Sequence, residues 1–183
     1  HYATEVTRLL NAMGVTVIGQ FPGYMKLEDL PKVTSAEAMV VLGGKGNTHN
    51  GLENLTKVLQ EKFGFKYLQD IFPVGWERTQ QWILEMGKLL NCEEQAQAVL
   101  AAEQLAMEKS LERFLKVTKD KKTTLCIGRW LMYFHPESML GVVKNLQLDL
   151  RGIVLLDALE AGYFEEMVAT LRKYTDVPIC SNL

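Results

Sequence analysis

Histidine and cysteine are scarce in this chain, and their spacing excludes several chemistries. Three cysteines occur in 183 residues (Cys92, Cys126 and Cys180). They are far apart and odd in number, and none forms a C-x-x-C pair, so zinc-ribbon and thioredoxin-like chemistry lack their usual spacing. Three histidines (His1, His49 and His135) are too few and too dispersed for a histidine-based metal cage. No serine–histidine–aspartate arrangement can be assembled from them. No lysine- or arginine-rich run is present and the formal net charge is −2, so a nucleic-acid partner is not expected. No apolar stretch approaches the roughly 20 residues of a membrane span. The first residues run straight into a helical pattern, which is not how a signal peptide begins. Widely separated cysteines, odd in number, are expected of a soluble protein of a reducing cytoplasm.

What is present is an alternation of helical and strand patterns. Val6, Leu9, Leu10 and Met13 recur at helical spacing and Gly14 is a natural stop. VTVI (15–18) reads as a strand, residues 27–36 as a short helix, and AMVVL (38–42) as a second strand. Leu52, Leu55, Leu59 and Phe63 mark a helix ending at Gly64, and FKYLQ (65–69) a third strand. FPVG (72–75) is a turn, followed by a helix carrying Trp82, Ile83, Met86, Leu89 and Leu90. A long alanine- and glutamate-rich helix covers 92–117.

KDKK (119–122) is a charged break, after which the pattern restarts. TTLCIG (123–128), RGIVLLD (151–157) and VPIC (177–180) read as strands. Between them lie helices carrying Met139, Leu140, Val143 and Leu146, then Phe164, Met167, Val168 and Leu171, with Pro136 at a first helical position. The expected class is α/β with mostly parallel sheets. The expected division is 1–118, a Rossmann-like subdomain with a long C-terminal helix, and 119–183, the start of a second. Both ends look cut, as in a fragment of a longer chain.

In open parallel sheets ligands sit beyond the carboxyl ends of the strands, which directs attention to the loops there. GGKGNTHN (43–50) resembles a phosphate loop but fails both phosphate motifs. Lys45 precedes Gly46 where a Walker A loop needs the reverse order, and His49 stands where a dinucleotide loop needs its third glycine. Gly44 and Gly46 still let backbone approach a ligand, with Lys45 and His49 as polar handles near a helix start. The same loop also reads as a tight turn capped by Asn47, Thr48 or Asn50.

Gly128 and Arg129 follow a strand, where the arginine can pair with an anion or simply lie exposed beside Trp130. His135 reads as a helix-start residue sooner than a proton donor. Cys180 ends the last strand and is a candidate ligating or reactive thiol, or packing. Cys92 and Cys126 read as packing, and Cys126 as buried. Asp157 and Glu160 read as solvated or capping.

Taken in order, several stretches resemble component 1 of nitrogenase and its relatives, namely molybdenum–iron protein subunits, cofactor-assembly scaffolds and dark-operative protochlorophyllide reductases. EVTRLLNAMGVTVIGQFPG resembles the opening of the family's middle domain, and LEDLPKVTSAEAMVVL the lead into its next strand. GLENLTKVLQEKFGFKY is similar to its helix with a charged-aromatic-glycine turn. FPVGWERTQQWI resembles its proline–glycine turn and helix, and TTLCIGRW the start of the next subdomain.

The resemblance implies Rossmann-like, chelatase-like subdomains around a cleft holding a metal cluster or reducible substrate. It implies an oligomer with a homologous subunit, an ATP-dependent iron protein as electron donor, an iron–sulfur or related metal cluster, and an anaerobe's metabolism. Gly44, Lys45, Gly46, His49, Gly128 and Arg129 would face the cofactor, with Cys180 and His49 as candidate metal ligands. An arginine at 129 would offset an anionic cluster.

Catalytic relatives carry a cofactor-ligating cysteine at the place that matches Thr48 and His49, and residues 43–50 contain none. Relatives' relay-cluster cysteines would precede His1. The expected role is therefore an oxidoreductase subunit that receives electrons and reduces a substrate or helps assemble a cofactor. The alternatives are a non-redox binding module for a tetrapyrrole or metal chelate, and a subunit kept for assembly alone.

Overall fold

The computed structural model describes residues 2–20, 25–41, 47–68, 71–128, 136–156 and 161–181. They group into two compact units, one formed by residues up to 73 with 78–104, the other by 74–77 with 105–181.

In the first unit, helix α1 (Tyr2–Ala12) buries Val6, Leu9 and Leu10, with Met13 just beyond it. This is the i, i+3, i+4, i+7 face that the sequence spacing requires. Its end is fixed by Gly14 at φ 80°. The Gly14 N–H donates to Asn11 O at 3.0 Å and the Val15 N–H to Leu10 O at 2.9 Å, a Schellman closure that needs a left-handed residue at this position.

The chain then runs through 15–20 without joining a sheet, where the sequence suggests a strand. Val15 and Val17 still turn inward onto the core while Thr16 and Ile18 are exposed. The alternation thus reports burial on one side, which side chains can satisfy without a ladder partner. A 3₁₀ turn (Leu27–Asp29) leads into the short helix α2 (Leu30–Val33).

Strand β1 (Ala38–Met39) pairs in parallel with β2 (Lys66–Tyr67), both shorter than their apolar runs. Between them lies α3 (Asn47–Phe63), closed by Gly64 at φ 74°. Helix α4 (Trp76–Leu89) buries Trp82, Ile83 and Met86 against α1 and the start of α5 (Glu93–Thr118), where Ala96 and Val99 complete the core. Of these, Ile83, Met86 and Val99 each contribute about 1.5–3 kcal/mol on burial.

Gly87 of α4 lets α5 approach closely, since a Cβ on it would lie 2.5 Å from the Ala96 Cβ. The α4 end repeats the Schellman closure with Asn91 at φ 53°, the Cys92 N–H donating to Gly87 O at 2.8 Å. Arg8 joins α1 to α5 through two 2.8 Å hydrogen bonds to the Glu103 carboxylate, while its Nε donates to Glu5 at 3.0 Å.

The second unit is a three-stranded parallel sheet in the order β3 (Lys122–Ile127), β4 (Asp149–Leu155), β5 (Ile179–Ser181). Helices α6 (Pro136–Asn145) and α7 (Ala161–Leu171) supply Met139, Leu140, Met167 and Leu171 to one face, over Ile127, Ile153 and Leu155. Pro136 is the first helical residue of α6, where its missing N–H costs nothing.

α6 closes like α1 and α4, but with Gln147 at φ 51°. The Leu148 N–H donates to Val143 O at 3.1 Å. Buried Ser138 donates its hydroxyl to Val74 O at 2.8 Å, which anchors Val74 on α6 within the second unit. The class expected from the sequence is the one observed, helices alternating with parallel strands.

Candidate functional site

Two places in the described residues have the geometry of a site. The first is the carboxyl edge of the second unit's sheet. Ile127, Leu155 and Ser181 stand at one level, because Ile127 pairs with Leu155 and Leu155 with Ser181. The Leu156 N–H donates to Ile127 O at 2.9 Å and carries the ladder to the sheet's rim. Gly128 follows directly and is half-buried. A Cβ built on it would meet nothing within 4 Å, so the space above the end of β3 is open. A ligand could come close to backbone at this point.

The two strand thiols sit one residue below that rim. Cys126 and Cys180 both pair with Val154, so they flank it on the same side of the sheet. Both are exposed, which overturns the expectation that Cys126 is buried. The reason is period two: Leu125 and Ile127 occupy the face covered by α6 and α7, and Cys126 must then point to the other. Two strand spacings put the cysteine Cα atoms roughly 9–10 Å apart, beyond the roughly 7 Å limit of a disulfide. The Cys180 thiol instead lies 3.8 Å from Ile153 O, a weak donor contact. Cys92 is half-buried and packs on the first unit's core, as expected for a packing cysteine.

The second place is a cleft of about 620 Å³ inside the first unit. Its floor is core: Val6, Leu10, Met13 and Met86 reach it from α1 and α4. One wall is the extended segment 15–20 with 36–41, the other the Leu52, Leu55 and Leu59 face of α3. Thr56, buried on that face, donates its hydroxyl to Leu52 O at 2.7 Å and so presents little free polarity. Glu37 at the mouth is paired with the Lys66 ammonium at 2.5 Å. Cys92 also borders the cleft, and burial first, then the Glu93 carboxylate, pushes its thiol above the usual range. The sequence offered no direct sign of this cleft beyond the Val–Thr–Val alternation of its wall.

Of the site residues expected from the sequence, Gly44, Lys45, Gly46 and Arg129 lie outside the described residues, as do Trp130, His135, Asp157 and Glu160. His49 falls in the first turn of α3, with its side chain outside the description. Gly128 and Cys180 are described and lie at and just below the same sheet edge. Among the described residues no three of histidine, cysteine, aspartate and glutamate come together as a metal site. The described residues therefore hold no complete ligand set for a metal cluster. No described helix is long and apolar enough to cross a membrane.

The fold has known relatives. The family model of the nitrogenase component 1 type oxidoreductases matches residues 2–143, and the chain belongs to that family. A solved structure described as "Nitrogenase Cp1 at pH 5" aligns over 97% of this chain and 32% of its own, with TM-score 0.64 and 17% identity. "Nitrogenase Cp1 at pH 6.5" aligns over 99% and 35%, with TM-score 0.65 and 16% identity. This chain thus spans about a third of those nitrogenase chains. A possible iron-binding (periplasmic solute-binding) protein from Staphylococcus epidermidis ATCC 12228 shares the fold at TM-score 0.52 and 12% identity, over 96% of this chain and 86% of that one. No curated protein sequence matches this chain.

Proposed function

We propose that this chain is part of a component 1 type subunit that accepts electrons from an ATP-dependent iron protein. The subunit would reduce a substrate with them or help assemble a metal cofactor. The observation that carries the reading is the family match over 2–143, which runs through β3 to Gly128 and on into α6. Family membership supplies the reaction class, and the open space above Gly128 is where backbone could approach a bound group.

In this reading residues 1–118 are a middle subdomain and 119–183 begin a second. The full-length protein works in the cytoplasm of an anaerobe, as an oligomer with a homologous subunit. Its iron–sulfur or related metal cluster takes its ligands mainly from outside this segment of the full-length protein. Lys45, His49 and Arg129 serve as polar groups toward that cluster or substrate, with Gly44, Gly46 and Gly128 giving backbone access, and Cys180 or His49 as a further ligand. Arg129 would balance negative charge on the bound group.

Anaerobic purification of the full-length protein, with iron and sulfide analysis and EPR, tests this. Iron, sulfide and a paramagnetic signal are expected. Arg129→Ala and His49→Ala should lower cluster retention or activity with the fold kept. A colourless protein without iron that still binds a tetrapyrrole or metal chelate would replace this reading with the non-redox binding module.

A further inference from the structure

The cleft in the first unit is not needed for any step of the function proposed above, yet it is built like a ligand site. Its roughly 620 Å³ falls within the roughly 300–1,000 Å³ typical of small-molecule pockets. Its floor is buried hydrophobic core, and its two walls come from separate parts of the chain. Among the described residues that line it, charge is nearly absent. Glu37 borders the cleft and is already bound to Lys66.

Polar capacity comes in a different form. Among the described residues, Thr16 to Gln20 make no backbone hydrogen bond, and neither do Val40 and Val41. These N–H and C=O groups stand along the wall with Thr7, Thr16 and Gln20 beside them. The combination is an apolar volume with a few neutral donors and acceptors. Among the described residues no counter-charge stands there to replace the hydration that an ionised ligand would lose.

We infer that this cleft binds an uncharged, largely apolar small molecule carrying at most a neutral hydrogen-bonding group. The inference rests on the lining of this cleft alone and not on the redox reading.

Cys92 at the cleft border provides a reporter in the unaltered protein. Cys126 and Cys180, exposed on the other unit's sheet, are internal references. The full-length protein is saturated with the neutral fluorophore N-phenyl-1-naphthylamine and then alkylated with N-ethylmaleimide at neutral pH. Each cysteine-bearing peptide is quantified by mass spectrometry over time.

The expected result is saturable, blue-shifted fluorescence together with a several-fold slower alkylation of Cys92, while Cys126 and Cys180 react at unchanged rates. Thr7→Trp, which fills the cleft from α1, should abolish both the fluorescence and the protection while leaving the far-UV CD spectrum intact. Leu55→Trp makes the same test from the opposite wall. Non-saturable fluorescence, no protection of Cys92, or equal slowing at all three cysteines would overturn the inference.

Discussion

The contact between α4 and α5 permits a sharp test, because it joins two atoms that no rotamer can move. A methyl placed on Gly87 would sit 2.5 Å from the Ala96 Cβ, 3.4 Å from the Glu93 Cα and 3.5 Å from Cys92 O. Carbon atoms in contact prefer about 3.5–4.0 Å, so α5 must withdraw by roughly 1 Å or more. Ala96 is fully buried, and the withdrawal opens the core around Trp82, Ile83 and Met86.

Overpacking of this kind costs about 1–3 kcal/mol. Against it stands the better helix propensity of alanine, about 1 kcal/mol in a helix interior. With the rigid geometry favouring the upper end of the cost, Gly87→Ala should destabilise by about 2 kcal/mol in a urea titration followed by CD. Ala96→Gly alone should cost on the order of 1–2 kcal/mol through lost propensity and a buried methyl. The double variant removes the clash and should be more stable than either single one, a coupling of about 2–3 kcal/mol. Strict additivity, or a Gly87→Ala protein as stable as the parent, would refute the close approach.

Three further outcomes follow from the same structure. Gln147 holds a left-handed conformation at the end of α6 at φ 51°, so Gln147→Gly should raise stability by about 0.5–1 kcal/mol, read as a higher urea midpoint. Gly128→Ala should leave the urea midpoint within about 0.5 kcal/mol of the parent, since its Cβ meets open space. The same substitution should reduce activity or cluster retention if a bound group approaches the backbone there.

The third concerns acid. Hydrogen bonds from the Arg8 guanidinium hold the Glu5 carboxyl below the usual range. A depressed carboxylate adds stability above its unfolded pKa, near 4.3, and loses it as pH falls through the lower folded value. Arg8 and Glu5 side chains are 48% and 57% exposed, so Arg8→Ala should cost less than about 1 kcal/mol at pH 7. The melting-temperature gap to the parent should narrow well below pH 4.

The helices were legible because burial writes a 3.6-residue period into them. Val6, Leu9, Leu10 and Met13 form the buried face anticipated, and Gly14 and Gly64 end helices as left-handed residues. Strands were legible in kind and order, less so in extent. Among the described residues of the apolar runs at 38–42 and 65–69, two in each are paired, since ladder length depends on a neighbour that no local pattern specifies.

Segment 15–18 shows the same limit, its valines half-buried on the core but its residues in no strand ladder. Cys126 was misplaced for a different reason. The alternation Leu125–Cys126–Ile127 already put the thiol opposite the two aliphatic side chains. Only α6 and α7 reveal which face is covered. Gly128 was found from its place at a strand end, whereas the cleft in the first unit is made by segments distant in sequence and left no motif.

Electron acceptance within a component 1 type subunit, as proposed for this chain, can be read by stopped-flow mixing of the anaerobic full-length protein with a reduced ATP-dependent iron protein. The iron protein should be oxidised only when MgATP is present, in proportion to the amount of full-length protein. An iron protein that stays reduced with MgATP, against full-length protein that is folded and loaded with iron and sulfide, would contradict it.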